Sequence, residues 1–399
     1  MLVAKKVRLE PNKEQIKYFK RFAGTNRFAW NTCKAFYDNL WESKQEYASV
    51  KDLMKYLQDL KHNNPDFAWM NDVPEAITKQ AIKDLIKAYK AFYKNRKENY
   101  DKNNPDKFKP KFKKKGKCKE SFYQRTDNIR KTDDSHVKIT GIKTPVKCKR
   151  LKGIDLPEKI QNPRISFDGK YWYLSYSFEK EFEVFTDFKR DKLGIDLGVK
   201  ELAILSNNEH YLNINKEKEI KRLRKRLKRI QRQTSRKYEA NVTYTIDKKK
   251  IFHKTSNIEK LEQQERLIYR RIADIQQTYM YEVIKSVLKT KAKIITIEDL
   301  NVKGMMQNPK LARAIQEQKF YEFRRILTYK CEWYGVELRL ADRWYPSSKK
   351  CSSCGNIKHD LKLNDRTYKC DVCDLKIDRD ENGAINLENC NKFKKIKIA

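Results

Sequence analysis

The sequence predicts an α+β protein of several domains, and three observations support this class. The chain has 399 residues, a length that suggests about two or three domains. Stretches with helical periodicity and stretches with the alternation of β-strands occur in separate blocks. Two closely spaced cysteine pairs, Cys351 with Cys354 and Cys370 with Cys373, add a small metal-binding module near the C-terminus.

Composition narrows the classes of function. Against 91 Lys and Arg stand 53 Asp and Glu, so the formal net charge is +38. The 22 Tyr and 18 Phe exclude a disordered polycation, and 11 Gly and 10 Pro exclude collagen-like and low-complexity chains. We find no run of about 18 apolar residues and no apolar signal segment at the start. We therefore expect a cytoplasmic protein that does not bind a membrane. Its partner is expected to be a polyanion, and nucleic acid is the leading choice.

A helical domain is predicted over residues 11–97. Asn12 and Gln15 have the spacing of a capping box, although Ser or Thr is more usual at the first position. Apolar residues follow at helical spacing. Gly24-Thr25 predicts a break before a second helix, and Pro74 stands in the first turn of a third.

A β-rich domain is predicted over 98–185, joined by residues 1–10 at the start of the chain. Residues 171–178 alternate after a turn signal, and the strand over 3–9 is expected to pair with this sheet. Eight lysines crowd residues 107–119, interleaved with phenylalanines and a proline. Such a run is either a solvated loop or a loop that follows a nucleic-acid backbone.

The second half of the chain begins with a predicted β-hairpin over 193–206. A helix follows from about 214 to 236 and a return helix over 256–289, so the two form a helical hairpin. Seven of the nine residues 221–229 are basic, which a simple packing helix does not require. The run KAKIITIEDLN that comes next is typical of a buried parallel strand.

The four paired cysteines predict a zinc ribbon over 346–375. Fifteen residues separate the two CxxC pairs, and the segment LKLNDRTYK is expected to form a hairpin between them. Four thiolates close the tetrahedral shell of one Zn²⁺, so the ion would be structural. A rubredoxin-type iron site is the alternative.

Three acids form the second constellation: Asp196 in GIDLG, Glu298 at the end of IITIED, and Asp380 in DRDENGAINL. An acid within an apolar strand is costly unless it is paired or binds a cation. Taken singly, the two strand acids could face solvent at a sheet edge, and Asp380 could stabilise a helix N-terminus.

Taken together, the three acids are typical of the RNase H-like α/β fold. One acid lies on the first strand, one lies at the end of a later parallel strand and one lies on a following helix. In that fold the three carboxylates converge and hold two Mg²⁺ ions for phosphodiester hydrolysis. Carboxylate oxygens suit Mg²⁺, whereas thiolates suit zinc.

The chain resembles the TnpB family, the RNA-guided nucleases of bacterial insertion sequences. The likeness rests on GIDLGVK around Asp196, IEDLNVKGM after Glu298, YPSSKKCSSCG before the ribbon and DRDENGAINL around Asp380. The opening KKVRLEPNKEQ and GTNRFAWN are also similar to the start of that family. The ordered set with four cysteines is far more specific than GIDLG alone.

The resemblance implies a domain plan. It comprises a RuvC-like nuclease domain over 186–345 and 376–399, with the helical hairpin at about 214–289 and the inserted zinc ribbon. The β-rich part, residues 1–10 and 98–185, corresponds to a β-barrel-like wedge domain. Residues 11–97 correspond to a helical recognition domain.

The resemblance also implies partners and sites. Asp196, Glu298 and Asp380 would be the catalytic and magnesium-binding triad. The partners would be a guide RNA from the transposon end and target double-stranded DNA bearing an adjacent motif, bound by a monomeric protein in a bacterial or archaeal cell. The family's pattern places nucleic-acid contacts at four positions: Lys79, Gln80, Thr126 and Asn128.

The basic segments supply further candidate nucleic-acid contacts from the residues themselves. They lie in the lysine-rich loop and on the basic helix: Lys111, Lys113, Lys114, Arg224, Arg226 and Lys228. A protein that recognises an RNA–DNA heteroduplex through the backbone of the nucleic acid needs many Lys and Arg residues and few side chains that read the bases.

Three other functions compete with an RNA-guided DNA endonuclease. A DNA transposase could use the same acid triad, although the ribbon's position and the lack of a separate helix-turn-helix signature count against it. A non-catalytic RNA-guided DNA-binding regulator would not need Asp196. A plain zinc-ribbon DNA-binding factor would not carry RNA.

Overall fold

The computed structural model describes residues 1–98, 104–149, 156–157, 159–362 and 365–396. These residues form two compact units, Met1–Lys180 and Glu181–Ala399. Both units mix helices and strands, in agreement with the α+β class. Within the described ranges, no helix is both long and apolar enough to cross a membrane.

The described residues of the first unit form a seven-stranded sheet and three α-helices. Its strands, in chain order, are β1 Leu2–Glu10, β2 Ser121–Tyr123, β3 Arg130–Asp133, β4 His136–Lys138, β5 Val146–Cys148, β6 Gln161–Phe167 and β7 Trp172–Glu179. Their order in the sheet is β2-β6-β7-β1-β5-β4-β3, and all of the pairings are antiparallel. The predicted pairing of the first strand with this sheet is confirmed, because β1 lies in its middle.

The helices of the first unit are α1 Lys13–Lys44, α2 Val50–Asn63 and α3 Glu75–Glu98, with a 3₁₀ segment at Pro65–Asp72. The capping box is confirmed: Gln15 N–H donates to Asn12 Oδ1 at 2.8 Å, and Asn12 N–H donates to Gln15 Oε1 at 3.0 Å. The predicted break at Gly24-Thr25 is wrong. A single Gly costs a helix only about 1 kcal/mol, and the buried residues on both sides offset that cost.

The second unit is built on a six-stranded sheet. Its strands are β8 Arg190–Asp196, β9 Glu201–Leu205, β10 His210–Leu212, β13 Ala292–Ile297, β14 Glu337–Ala341 and β17 Phe393–Lys395, in the order β10-β9-β8-β13-β14-β17. β8, β13 and β14 run parallel, and the other three run antiparallel to their neighbours. The predicted hairpin is β8 with β9, and the predicted buried parallel strand is β13.

Two long helices leave this sheet as a hairpin. A 3₁₀ turn at Ile214–Lys216 precedes α4 Lys218–Glu239, and α5 Ser256–Lys289 returns. The return helix has its predicted bounds. A small β-hairpin joins the two at the tip, β11 Val242–Tyr244 with β12 Lys250–Phe252. The isoleucines and leucines of α4 and α5 pack between the two helices. Most of the basic side chains of residues 221–229 remain exposed.

The remaining elements of the second unit surround the sheet and the cysteine module. They are α6 Val302–Met305, α7 Pro309–Gln318, α8 Phe320–Tyr334, β15 Thr367–Lys369, β16 Lys376–Asp378 and α9 Arg379–Glu388. β15 pairs with β16 across the second cysteine pair. The hairpin expected between the two pairs therefore lies further along the chain than predicted, although residues 363–364 of that segment are outside the described ranges.

Candidate active site and metal centre

Asp196 and Glu298 lie side by side at the carboxyl ends of two neighbouring parallel strands. Ile195 of β8 is opposite Ile297 of β13, and each acid is the next residue along its strand. Strands that run parallel end at the same edge of a sheet, and this edge is where polar sites of open α/β sheets are found. The register therefore brings together two acids that are 102 positions apart in the sequence.

Helix α9 carries Asp380 to the same edge. The helix crosses β8 so closely that a Cβ built on Gly194 would lie 1.9 Å from the Ala384 carbonyl oxygen, so only glycine fits there. At Gly383, one turn after Asp380, a Cβ would lie 3.7 Å from Cγ of Asp196. Residues three apart share one helix face, so Asp380 also faces the strand acids.

Burial and the charges of neighbouring acids shift the pKa values of the two strand acids. Burial raises the pKa of Asp196 well above its usual value, and the charges of Glu298 and Asp380 raise it further. Burial also raises the pKa of Glu298, with a contribution from Asp380. Arg379 opposes both shifts. Divalent cations would relieve this repulsion, so the buried oxygen donors fit Mg²⁺ chemically.

Two arginines, which we did not predict, border Asp380. Arg379 Nη2 lies 3.3 Å from its Oδ1, and Arg366 Nη1 lies 3.6 Å from its Oδ2. The motif DRDEN shows the first of them next to the acid in sequence. The second comes from the ribbon, and sequence spacing gives no sign of its approach.

The four cysteines form a second candidate metal centre. The sulfur atoms of Cys351, Cys354, Cys370 and Cys373 all lie within 4.8 Å of one another, and they are the only such group among the described residues. Backbone N–H groups of Cys373 and Val372 lower the pKa of Cys370 to about 6, which favours the thiolate. This donor set fits a structural zinc ion.

The base of the cysteine module is hydrogen-bonded to the acid edge. The Ser347 hydroxyl donates to Glu298 Oε1 at 2.5 Å. Asn386 Nδ2 donates to the carbonyl oxygens of Ser347 and Lys350, and Asn382 Nδ2 donates to that of Lys350. These side chains are buried. The sequence gives one sign of these contacts, which is the presence of two asparagines four residues apart on α9.

The lysine-rich loop is anchored to α1 rather than solvated throughout. Trp30 Nε1 donates to the Lys111 carbonyl oxygen at 3.1 Å, and Asn31 exchanges two hydrogen bonds with the Lys113 backbone. The Lys113 ammonium lies 3.6 Å from the Trp30 ring centroid, and burial lowers its pKa. The side chains of Lys111 and Lys114 are exposed.

The four contacts implied by the family pattern lie on two surfaces of the first unit. On α3, Lys79 forms an ion pair with Glu75 at 2.8 Å, and Gln80 donates to Asp84 at 2.9 Å. Thr126 is exposed at the start of a 3₁₀ turn, Thr126–Asn128. The side chain of Asn128 lies outside the described part of the chain.

The three candidate nucleic-acid contacts on the basic helix differ in their exposure. Arg226 and Lys228 are exposed on α4. Arg224 instead forms an ion pair with Glu317 at 2.8 Å and donates to Asn215 Oδ1 at 3.0 Å. Arg224 therefore holds α4 against α7, and its side chain is less accessible to phosphates than predicted.

Three protein families match segments of this chain. The family described as "Helix-turn-helix domain" matches residues 1–46, "Probable transposase" matches 179–309, and "Cas12f1-like, TNB domain" matches 320–387. The last two contain the three acids and the four cysteines. The first match contradicts our expectation that no helix-turn-helix signature is present, although residues 1–46 fold as strand β1 and the single helix α1.

Relatives match over nearly the full length. A protein of Streptomyces pristinaespiralis is 28% identical over 386 residues, 96% of this chain and 87% of the relative. InsQ of Escherichia coli (strain K12) is 28% identical over 405 residues, 97% and 91% of the two chains. Both are provisionally named RNA-guided DNA endonucleases.

A shorter match adds the family name. TnpB-like protein L79 of Acanthamoeba polyphaga mimivirus is 34% identical over 128 residues, 31% of this chain and 24% of the relative. A solved complex of Cas12f1 with sgRNA and target DNA aligns over 98% of this chain and 99% of that chain at 16% identity, with a TM-score of only 0.36. The family matches and the relatives support a TnpB-type protein, in agreement with the sequence motifs.

Proposed function

We propose that this chain is an RNA-guided DNA endonuclease that cleaves phosphodiester bonds by two-metal hydrolysis. The observation that carries the proposal is the convergence of Asp196, Glu298 and Asp380 at one edge of the six-stranded sheet. The relatives with this name match almost the whole chain. On this proposal, residues 186–345 and 376–399 form a RuvC-like domain of the RNase H type.

In this reaction the protein would hold the metal ions and orient the side chains that bind them. Two Mg²⁺ ions, when bound, supply an activated water and stabilise the leaving 3′ oxygen of the phosphodiester. Asp196, Glu298 and Asp380 would hold them, with Ser347 fixing one carboxylate oxygen of Glu298. Gly194 lets α9 approach the strand, so that Asp380 reaches the same edge.

Guidance by RNA accounts for the charge of the chain. A heteroduplex is held through its backbone, while base pairing selects the sequence. The exposed lysines of the α1-anchored loop and the exposed cations of α4 are suited to that task. The β-rich part of the first unit would act as the wedge domain and residues 11–97 as the recognition domain. Lys79, Gln80, Thr126 and Asn128 would lie near the motif that adjoins the target.

The cysteine cluster would hold one structural Zn²⁺. Its hydrogen bonds to Glu298 and α9 would make the ribbon a support of the acid edge rather than a separate DNA-binding module. The ion itself would take no part in hydrolysis, because four thiolates leave no open coordination position.

A transposase remains the second candidate, since one matching family is described as "Probable transposase". The experiment that separates the two begins with sequencing the RNA that co-purifies with the full chain. That RNA, with its guide segment matched to a plasmid, is then added to protein, Mg²⁺ and plasmid. Guide-dependent linear product supports the proposal; RNA-independent joining of donor and target ends would replace it with the transposase.

A further inference from the structure

A cavity lies in the second unit, at the opposite edge of the sheet from the acids. Its volume is about 520 Å³. The segment before β8 and the last turns of α5 and α8 line it, through aromatic residues and lysines: Phe185, Tyr281, Tyr334, Lys285, Lys289 and Lys330. These elements lead into the N-terminal ends of the parallel strands. The six residues of β13 therefore separate the cavity from Glu298 by about 20 Å.

Aromatic rings form a firm wall of this cavity. The Phe185 and Tyr334 rings stack with centroids 4.8 Å apart and planes 7° apart. The Phe185 N–H also donates to the Tyr334 carbonyl oxygen at 3.0 Å, which fixes the segment before β8. Tyr281 is 38% exposed on α5. Flat faces held in this way suit a planar ligand.

Lysines form the rim. Lys285 and Lys289 are exposed one turn apart on α5. The Lys330 ammonium lies 4.1 Å from the Trp333 ring centroid, and burial lowers its pKa. A bound anion would favour the charged ammonium and so offset the effect of burial on its pKa. Lys291 is held instead by Asp187.

We infer that this cavity binds one unpaired nucleotide of the guide RNA. Its base would lie against Tyr281 and the Phe185–Tyr334 pair, and its phosphate would lie among Lys285, Lys289 and Lys330. Base stacking on aromatic side chains beside cations is how proteins hold single-stranded nucleic acid. A cavity of this volume is within the range of small-ligand sites.

The distance from the acids favours RNA over target DNA as the occupant. The strand that is cut must pass the edge that carries Asp196, whereas the guide can be held at the far edge throughout the reaction. The inference rests on the proposed function for the identity of the RNA. The cavity itself rests only on the contacts described above.

Photocrosslinking tests the site directly. The co-purifying RNA is transcribed with 4-thiouridine, bound to the full chain, irradiated and digested. We expect crosslinks on peptides that contain Tyr281 or Tyr334, and their loss in Tyr281→Ala. Crosslinks confined to other peptides would overturn the site.

Binding measurements supply the matched comparison. Tyr281→Ala should weaken RNA binding about tenfold, as expected for one stacked base, and Tyr281→Phe should restore it. Lys285→Ala with Lys289→Ala should lower the salt slope of RNA binding by about two. The control pair, Lys51→Ala with Lys55→Ala, has the same spacing on exposed positions of α2 and should leave the slope unchanged.

Two further outcomes decide the occupant. If the variants bind RNA normally but the RNA-loaded protein binds target DNA less well, the nucleotide belongs to the DNA and the inference is wrong. If neither affinity changes in correctly folded variants, the cavity holds no nucleotide. Cleavage is scored separately: a protein that crosslinks RNA at Tyr281 but never cuts DNA would keep the cavity and lose the endonuclease proposal.

Discussion

The Ser347 hydroxyl donates a hydrogen bond to Oε1 of Glu298 at 2.5 Å, so the base of the cysteine module touches the acid edge directly. The Ser347 carbonyl oxygen accepts from Asn386 Nδ2 at 2.8 Å, on the helix that carries Asp380. The buried Ser347 thus contacts Glu298 itself and, through Asn386, the helix that carries Asp380. On the proposed function Glu298 is a metal ligand, and a residue that orients such a ligand contributes to metal affinity without binding the ion.

Removal of this hydroxyl should weaken catalysis. Burial raises the pKa of Glu298, and the hydrogen bond from Ser347 opposes that rise and fixes one of the carboxylate oxygens. We expect Ser347→Ala to reduce cleavage about 10- to 100-fold and to raise the Mg²⁺ concentration at half-maximal rate. Ser353→Ala, the same change at an exposed position of the module, is the control. Equal metal requirements in the two variants would contradict the role given to Ser347.

Loss of zinc should reach the acid edge through the same contacts. Cys351→Ser and Cys370→Ser should bind no zinc, unfold at a lower temperature and cleave poorly, because structural zinc contributes folding energy. Cys118→Ser should retain the metal, since Cys118 lies outside the cluster. Metal content and thermal melts measure both effects, and full activity in zinc-free protein would refute the coupling.

The acid edge should cost stability when no metal is bound. Burial and neighbouring acids raise the pKa of Asp196 in the folded state, so the unfolded chain loses its proton at a lower pH than the folded one. The penalty is fully present above the raised folded-state pKa and vanishes below the unfolded value of about 4. Asp196→Asn should therefore raise the Tm of chelator-treated protein at neutral pH, on the order of a few degrees.

The control for this stability test is an acid whose pKa is shifted in the opposite direction. A hydrogen bond from Lys291 lowers the pKa of the exposed Asp187, so Asp187→Asn should not raise the Tm at neutral pH. At acid pH the gain of Asp196→Asn should disappear. A gain that is independent of pH would show that repulsion among the carboxylates is not its cause.

The basic helix should divide into binding and supporting residues. Arg226→Ala with Lys228→Ala should lower the salt slope of RNA binding by about two and leave the Tm unchanged, because both side chains are exposed. Arg224→Ala should lower the Tm instead, because it leaves the half-buried Glu317 without this partner. The opposite division, a Tm loss only for the exposed pair, would contradict this assignment.

The periodic elements and the metal-ligand motifs could be predicted from the sequence because their signals are local. The capping box at Asn12, the return helix over 256–289 and the strand before Glu298 all follow from spacing within a few turns. The four cysteines carry their own geometry in two CxxC pairs. The break at Gly24 failed because burial on both sides of a helix outweighs one unfavourable residue.

The contacts between distant segments could not be predicted. Neither the spacing of Ser347 nor that of Asn386 shows that they meet beside Glu298, since the contacts depend on how the module folds back onto α9. The engagement of Arg224 with Glu317 is likewise set by the tertiary structure. A basic run in a sequence gives the number of cations on a helix but not which of them remain available to a phosphate.

Cleavage by the Asp196→Ala protein is the most direct test of the central claim. Wild-type and variant proteins, each loaded with the co-purifying RNA, are compared for binding and for cutting of a matched DNA duplex in Mg²⁺. We predict that the variant binds the duplex with unchanged affinity and produces no cut. Cleavage at the wild-type rate would contradict the assignment of the acid edge as the active site.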